Sequence, residues 1–361
     1  MNQRLLLSVE RLEDRSVPAG TVTISGWGTG NLNIVGDAQS NDIVITGSPN
    51  GIQITAQSGT TLSLGPFPLA WGWTVTTSLP TQVFLVPTST TPLGQLMIDL
   101  KAGDDQVGVF GLQGTVQANG NILIMPGDGN DTVRLGADAT AKALLIRDDL
   151  GNDVVHLDAV SARDPSQIVL GAGNDSILIA GTGTIFDSHL TLLTGAGSDR
   201  VRFVPGQSWI KGNLWIDTSA PMGDGGDTVL VDNAATATAP HTLRVSGTTT
   251  IKTGNGADLV RFGLSSGPGP SVDLGGGSNP TTIEMGNHND RIGIERALFA
   301  QLTVKLEDGI DQVLNNWGGA SVSLAPGSVL DFGPPNPPLG SDSPLPSGWT
   351  SPPGLTVLNH P

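Results

Sequence analysis

A short motif repeats nine times between residues 101 and 313, and this repetition limits the chain to repeat architectures. Each copy reads G-x-G-x-D-x-[VI]-x-apolar or a close variant, and Asp42 stands in a weaker relative upstream. Successive aspartates lie 21 to 32 residues apart, which indicates a unit of about 22 residues that accepts insertions. The nine aspartates are Asp105, Asp131, Asp153, Asp175, Asp199, Asp227, Asp258, Asp290 and Asp311.

The residues after each aspartate predict a β-strand. The position two residues later is always Val or Ile, whose β-branched side chains favour pleated strands. The position four residues later is apolar in eight of nine copies, with Asn315 the exception. Because side chains of a strand alternate between its two faces, both positions point into one core.

A second strand precedes each aspartate. The position seven residues earlier is apolar throughout, and only Ala220 is not a large aliphatic residue. An insertion around Ser219 to Met222 explains this, because the matching strand Leu214-Trp215-Ile216 lies further upstream. Glycine stands two residues before every aspartate except Asp290, where His288 replaces it. Glycine reaches positive φ at little steric cost, so a tight corner is expected between the strands.

A unit of strand, corner, strand and variable connector cannot bury its apolar face alone, so copies must stack. The sequence therefore predicts an all-β fold, a parallel β-helix or β-solenoid of about 22-residue coils. Nine to twelve coils at a strand spacing of about 4.8 Å would give a rod roughly 45 to 60 Å long. A β-propeller or sandwich is the alternative, but a propeller blade needs about 40 to 45 residues.

Three regions are expected along the chain. Residues 1–20 resemble an export leader, residues 21–325 form the solenoid, and residues 326–361 are a proline-rich tail that is extended or disordered. Within the solenoid, residues 21–97 are irregular and residues 98–315 carry the regular repeats. The irregular part contains Trp71 and Trp73, either as a cap over the open end of the core or as a ligand platform.

Composition narrows the classes of partner. The net charge is −16 with only 17 basic residues, which argues against nucleic-acid binding and favours cations. No apolar run approaches the roughly 18 residues of a membrane span. The chain has no cysteine, so neither a disulfide framework nor a thiolate metal site is expected.

The N-terminal string LEDRSVPAG resembles the leader of large, repeat-rich surface and secreted proteins of planctomycete bacteria. The likeness rests on Leu12, Glu13, Asp14 and Arg15, followed by Val17-Pro18-Ala19. It implies an extracellular or cell-surface location. The apolar stretch from Leu5 to Val9 is shorter than an ordinary secretory signal, and an amphipathic start to a cytosolic domain is the alternative.

The segments GDGNDTVRL, GAGNDSILI and GDGGDTVLV resemble the hemolysin-type calcium-binding repeats of RTX proteins. This resemblance implies Ca²⁺ held by corner carboxylates and glycine carbonyls of successive turns. It departs in period, because RTX repeats span nine residues and line two edges, whereas this chain offers one corner per coil. Fewer oxygens then converge on each ion, and calcium requires about 6 to 8. The ligands that the resemblance implies are Asp131, Asp153, Asp175, Asp199, Asp227 and Asp258.

A purely structural role for the same aspartates is the competing hypothesis. Each carboxylate can accept a hydrogen bond from its own corner backbone, extend into solvent, or pair with a cation. Basic residues occur three positions after four of the aspartates and are expected near neighbouring carboxylates: Arg134, His156, Arg202 and Arg261.

Signals for catalysis are few. The match Gly263-Leu264-Ser265-Ser266-Gly267 runs into Pro268 rather than into the helix of a nucleophile elbow, and the histidines lack zinc-site spacing. Parallel β-helices also carry polysaccharide lyases and hydrolases. The outward set of Arg147, Asp148 and Asp149, or that of Arg200 and Arg202, could imitate their catalytic groups, although a solvated strand edge is expected.

We therefore expect an exported, non-enzymatic, structural or adhesive repeat protein, stabilised by calcium if the RTX likeness holds. Its expected partners are calcium and cell-surface polysaccharide or other surface proteins. The alternative is a polysaccharide-acting lyase or hydrolase, which would need several functional side chains converging in a groove beside the rod.

Overall fold

The protein is described by a computed structural model for residues 20–27, 30–67, 72–88, 92–113, 119–136, 138–204, 206–231, 243–263, 272–274, 279–295, 297–314, 323–324, 326–333 and 353–358. These residues form 35 β-strands in three sheets, and none of them is helical. No helix in this part of the chain could therefore cross a membrane. Residues 1–19, which hold the leader-like segment, lie outside the described residues.

The three sheets are named A, B and C, and their strands are given in spatial order. Sheet A contains β35 (Leu355–Leu358), β34 (Ser328–Asp331), β31 (Gln301–Lys305), β28 (Pro280–Glu284), β25 (Thr249–Lys252), β22 (Leu214–Asp217), β19 (Leu190–Leu193), β16 (Ser166–Val169), β13 (Leu144–Arg147), β10 (Ile122–Met125), β8 (Leu96–Asp99), β2 (Asn31–Val35), β1 (Thr21–Trp27) and β5 (Thr61–Leu64). Sheet B contains β32 (Gln312–Val313), β29 (Arg291–Ile294), β26 (Leu259–Phe262), β23 (Thr228–Val231), β20 (Arg200–Phe203), β17 (Ser176–Ala180), β14 (Val154–Asp158), β11 (Thr132–Gly136), β9 (Gln106–Phe110), β3 (Asp42–Ser48), β4 (Gly51–Ala56), β7 (Gln82–Pro87) and β6 (Trp73–Leu79). Sheet C contains β12 (Thr140–Ala141), β15 (Ser161–Ala162), β18 (Thr184–Phe186), β21 (Ser208–Ile210), β24 (Leu243–Val245), β27 (Val272–Leu274), β30 (Ala297–Phe299) and β33 (Ser323–Leu324).

From β10 onward, each regular coil passes once through the three sheets. The chain runs from β13 in sheet A through the glycine corner to β14 in sheet B, then to β15 in sheet C, and returns to sheet A as β16. Every strand pairs in parallel with its counterpart in the next coil. The predicted parallel β-helix is therefore confirmed, and fourteen strands at about 4.8 Å make sheet A about 60 Å long.

The inward positions of successive coils stack in register. In sheet B the stack runs through Val133, Val155, Ile177 and Val201, all of which are buried. In sheet A, Ile216 stacks on Leu192, which confirms the upstream strand inferred from the insertion. One apolar core thus extends along the rod axis.

From β11 onward, the segment that joins sheet B to sheet A, predicted as a variable connector, contains a strand of sheet C. Its inward side chains include Ala162, Phe186 and Ile210, and all three are buried. These strands are only two or three residues long. Alternation over so few residues cannot be recognised in a sequence, since strand patterns need about four or more residues.

Antiparallel strands close the N-terminal end of the rod. β1 pairs antiparallel with β2, and β4 pairs antiparallel with both β3 and β7. Trp73 is buried in the core there, which favours the capping interpretation; Trp71 lies outside the described residues. At the other end, the region predicted as tail contains β34 and β35, and Leu330 and Phe332 are buried. The segment SVLDF explains this, because it is rich in apolar residues and the prolines of the region lie on either side of the segment rather than within it.

Candidate functional site

The nine repeat aspartates form one column at the corner between sheets A and B, immediately before the strands of sheet B. All nine side chains are at most 2% exposed. Charged residues are rarely buried to this degree unless their polar atoms are satisfied. The corner therefore has to supply partners for the carboxyl groups.

Backbone N–H groups of the neighbouring coil are those partners. In each coil the aspartate Oδ1 atom accepts a hydrogen bond from the backbone N–H of the aspartate one coil earlier, at 2.6–2.9 Å. At the N-terminal end, the Asn41 N–H donates to Asp105 in the same way. We name this column the Asp ladder. Its bonds join one coil to the next, whereas the sequence predicts an Asx bond within a single corner.

A second ladder runs beside the first and points the other way. From Asn130 to Ser198, the residue before the aspartate donates its N–H to the Oδ1 of its counterpart one coil earlier, as in Asn152 to Asn130 at 3.0 Å and Asn174 to Asn152 at 2.8 Å. These side chains are exposed. Over these coils, adjacent side chains thus hold each coil to both of its neighbours.

Glycine is required in the corner for two reasons. Gly151 and Gly173 adopt φ of +147° and +153°, as the sequence predicts for this position. A Cβ on Gly173 would also overlap the carbonyl oxygen of Gly151 in the coil below. His288 takes the same position at φ +102°, so one coil carries a non-glycine residue in a strained conformation.

Burial raises the pKa of the ladder carboxyls. Desolvation is the main cause, and neighbouring carboxylates add to it: the pKa rises to about 8 for Asp105 and Asp290 and to about 7 for Asp175. Burial also raises the pKa of Asp227 to about 8. It raises the pKa of Asp258 only to about 6, because hydrogen bonds from the Asp227 backbone N–H and the Thr253 hydroxyl oppose the rise. Burial therefore shifts the ladder carboxyls toward their protonated form.

Asp148 joins two ladder members in a cluster that the sequence analysis missed. One oxygen of each of Asp131, Asp148 and Asp153 lies within 4.8 Å of the others, and this is the only three-ligand group found among the described residues. The Oδ2 atoms of all three are buried without a hydrogen-bond partner. Burial and the charges of its two neighbours raise the pKa of Asp148 to about 9, and burial raises that of Asp131 to about 7.

The outward orientation predicted for Asp148 is wrong. Its side chain is only 4% exposed, and its Oδ1 accepts the N–H groups of Gly127 and Asp149 at 3.2 and 3.1 Å. Asp148 lies five residues before Asp153. The equivalent positions of the other coils are buried and could have revealed this, with the insertion moving the position upstream to Thr218 in one coil: Leu100, Pro126, Leu170, Thr194, Thr218, Thr253, Met285 and Leu306.

The six predicted metal ligands are divided by the structure. Asp131 and Asp153 belong to the cluster, and the other four, Asp175, Asp199, Asp227 and Asp258, belong only to the ladder within the described part of the chain. The cationic residues predicted to pair with the aspartates, such as Arg134 and His156, lie on the outer face of sheet B. The ladder carboxylates from Asp105 to Asp290 form no ion pair with a described residue.

The cluster can hold a proton or a metal ion. Three carboxyl groups this close cannot all be ionised in a buried corner unless positive charge joins them. The three unpartnered Oδ2 atoms are suited to a hard cation, but they supply only half of the 6 to 8 oxygens that calcium prefers.

An open cleft of about 430 Å³ lies elsewhere, on the outer side of the rod beside the insertion loop. Its lining includes Lys252, Asn255, Glu284 and Glu307. Glu284 accepts ion pairs from Lys252 and Lys305 at 2.9 and 2.8 Å. These contacts lower the pKa of Glu284 and raise that of Lys252, so both groups stay charged.

Comparisons with protein-family models, with curated proteins and with solved structures gave no match. The likenesses to RTX repeats and to planctomycete leaders therefore rest on the residues alone and stay predictions.

Proposed function

We propose that the chain is a non-enzymatic β-solenoid rod that serves as a structural or adhesive element outside the cell. The observation that carries this proposal is the unbroken Asp ladder, which links nine consecutive corners with one hydrogen bond per coil. Together with three parallel sheets, it makes every coil bond to its neighbours along the axis. Such a solenoid gives length and a repeating surface rather than a single enclosed pocket.

An extracellular location is part of this proposal and is supported by the string LEDRSVPAG. Protease treatment of intact cells that carry the gene, followed by immunodetection, tests it. Digestion of the protein on intact cells is expected. Protection from protease, with recovery in the cytosolic fraction, would contradict the surface role.

We further propose that calcium occupies the cluster of Asp131, Asp148 and Asp153, where one oxygen of each carboxyl lies within 4.8 Å of the others. Calcium would replace the protons that the raised pKa values favour and would cancel the repulsion among the carboxylates. Backbone carbonyls or water would have to complete its coordination.

Millimolar calcium should then raise the melting temperature, because a ligand that binds only the folded state at a hundredfold excess over its Kd stabilises it by about 2.7 kcal/mol. Magnesium should act less, since it demands tighter octahedral geometry. The triple variant D131N/D148N/D153N should lose the calcium response, while the control D199N/D227N/D258N should keep it. If calcium does not change the melting temperature of the unsubstituted protein, the calcium proposal is rejected and the aspartates of the corner have a purely structural role.

A polysaccharide-acting enzyme is the second candidate, because the cleft brings charged side chains together as such an enzyme requires. Against it, Glu284 is held ionised and Lys252 is held protonated by their ion pair, so neither has the pKa of a general acid or base near neutral pH. The two candidates differ in turnover. Incubation with a panel of neutral and acidic polysaccharides should yield no new reducing ends and no unsaturated products. Turnover that is lost in Glu284→Gln would establish the enzyme instead.

A further inference from the structure

The outer face of sheet B carries two rows of arginine side chains. Its outward positions stack in register from coil to coil, so residues in one row face the same direction. The first row contains Arg134, His156, Leu178, Arg202, Leu230 and Arg261. The second row contains Thr132, Val154, Ser176, Arg200, Thr228, Leu259 and Arg291. We name this surface, from β11 to β29, the arginine face.

The charge of the arginine face is opposite to that of the chain. Five arginines lie on it, whereas the acidic residues are confined to the strand ends at Asp158 and Glu295. Glu295 pairs with Arg261 at 2.9 Å. Over the whole chain, 33 acidic residues outnumber 17 basic ones. The repeat itself does not demand arginine here, because Thr, Ser, Gly and Leu occupy equivalent outward positions.

Three of these arginines are available to a ligand. Arg134, Arg200 and Arg291 are exposed and form no ion pair with another described residue. Leucine side chains lie between the arginines in both rows: Leu178 and Leu230 in the first and Leu259 in the second. Val154, which is 39% exposed, lies in the second row beyond Arg200. The surface therefore alternates guanidinium groups with hydrocarbon.

We propose that the arginine face binds a linear acidic polysaccharide that runs along the rod axis. Three strand spacings separate Arg134 from Arg202 and likewise Arg200 from Arg291, which corresponds to about 14 Å in each row. A planar guanidinium group binds a carboxylate or sulfate through two parallel hydrogen bonds. The intervening leucine side chains suit the apolar C–H faces of sugar rings. This inference rests on the proposed function and gives the adhesive rod its partner.

The arrangement suits a sparsely charged polymer better than a nucleic acid. Double-stranded DNA carries one charge per roughly 1.7 Å of its axis, far denser than cations about 10 to 14 Å apart along a row. Single-stranded nucleic acids need aromatic side chains for base stacking. The described outward positions of the sheet B strands from β11 to β29 hold no Trp, Phe or Tyr.

The experiment measures binding of the full chain to immobilised polygalacturonate in calcium-free buffer at low salt. Fully methyl-esterified polygalacturonate has the same backbone without the charges and serves as the matched ligand, and single-stranded DNA is a third ligand. The test variant is R200Q/R202Q. The control variant R147Q/R163Q removes the same charge from exposed sites outside the arginine face. Melting temperatures verify that both variants are folded. If R200Q/R202Q does not fold, R200K/R202K, which keeps the charge, replaces it as the test variant.

We expect the protein to bind polygalacturonate, to lose this binding as salt rises above the physiological range, and to ignore the esterified polymer. R200Q/R202Q should weaken binding by about tenfold or more, and R200K/R202K, which lacks the planar bidentate geometry, by less. The control should stay within about twofold. Absence of binding, equal losses in R200Q/R202Q and R147Q/R163Q, or tighter binding to DNA would each overturn the inference. Shortening of the bound polymer would instead contradict the non-enzymatic proposal while leaving the arginine face as its binding surface.

Discussion

At the scale of single residues, the corner glycines combine two constraints that are usually separate. Gly151 and Gly173 need positive φ, and a side chain on either would overlap a carbonyl oxygen of the neighbouring coil. Gly183 is also at positive φ, +98°, but a Cβ there would meet no atom within 4 Å. The three positions therefore separate backbone strain from steric overlap.

Gly151→Ala and Gly173→Ala should each destabilise the protein by about 3 kcal/mol or more, because the coils would have to separate locally. Gly183→Ala should cost only about 1 kcal/mol, the strain of positive φ alone. Chemical denaturation of the three variants measures the difference. Equal losses at all three sites would show that close contact between coils is not what fixes glycine in the corner.

Burial of the aspartates is the residue-scale feature that the sequence could not predict. The motif identifies the column of aspartates, but an aspartate at a glycine corner is ordinarily solvated. Its burial depends on an N–H group some 21 to 32 residues away in sequence, which becomes a neighbour only after the coils stack. Asp148 was missed for a related reason, because its inward direction follows from the column of other coils and not from its local sequence.

At the scale of elements, sheets A and B were predictable and sheet C was not. Strands of four or five residues, such as β13 and β14, show alternating burial that the apolar pattern reproduces. Strands such as β12 and β15 have two residues each, and their inward residues are the small Ala141 and Ala162. Pairing between coils, rather than local sequence, makes these segments strands.

The Asp ladder connects the coils through side chains. Substitutions in it separate the contribution of the hydrogen bond to stability from that of the carboxyl charge. Asparagine keeps the Oδ1 acceptor and removes the charge, whereas alanine removes both. The triple variant D131A/D153A/D175A should lose about 1 kcal/mol per ladder bond. D131N/D153N/D175N should match or exceed the unsubstituted protein at pH 8 in chelator, because repulsion among carboxylates is relieved. Urea denaturation compares them; an Asn variant as unstable as the Ala variant would mean that the carboxyl charge, and not the hydrogen bond, stabilises the corner.

At the scale of the whole molecule, protonation of the buried carboxyls would make the net charge less negative than the formal charge. Nine buried aspartates have raised pKa values: Asp105, Asp131, Asp148, Asp153, Asp175, Asp199, Asp227, Asp258 and Asp290. If all nine were protonated, the formal charge would change from −16 to −7. The exposed surface is thus less acidic than the composition indicates, and an arginine face on such a rod is electrostatically reasonable.

The same nine groups set the pH dependence of stability. In the unfolded chain they titrate near 3.8, whereas in the folded rod the pKa of Asp175 is about 7, that of Asp105 about 8 and that of Asp148 about 9. Between these values the folded state binds more protons than the unfolded state, so its stability is greatest at low pH and falls as pH rises through 7 to 9.

In chelator, the melting temperature should therefore decrease steadily from about pH 5 to about pH 9. D131N/D148N/D153N should show a shallower decrease, because three of the titrating carboxyls are gone, while R147Q/R163Q should follow the unsubstituted protein. Calorimetry across this range, repeated in millimolar calcium, gives the result. With calcium bound at the cluster, the decrease should lessen, since the ion then occupies the place of the protons that leave. A melting temperature that rises with pH in chelator would contradict a protonated ladder and would mean that the carboxylates are ionised in the folded rod.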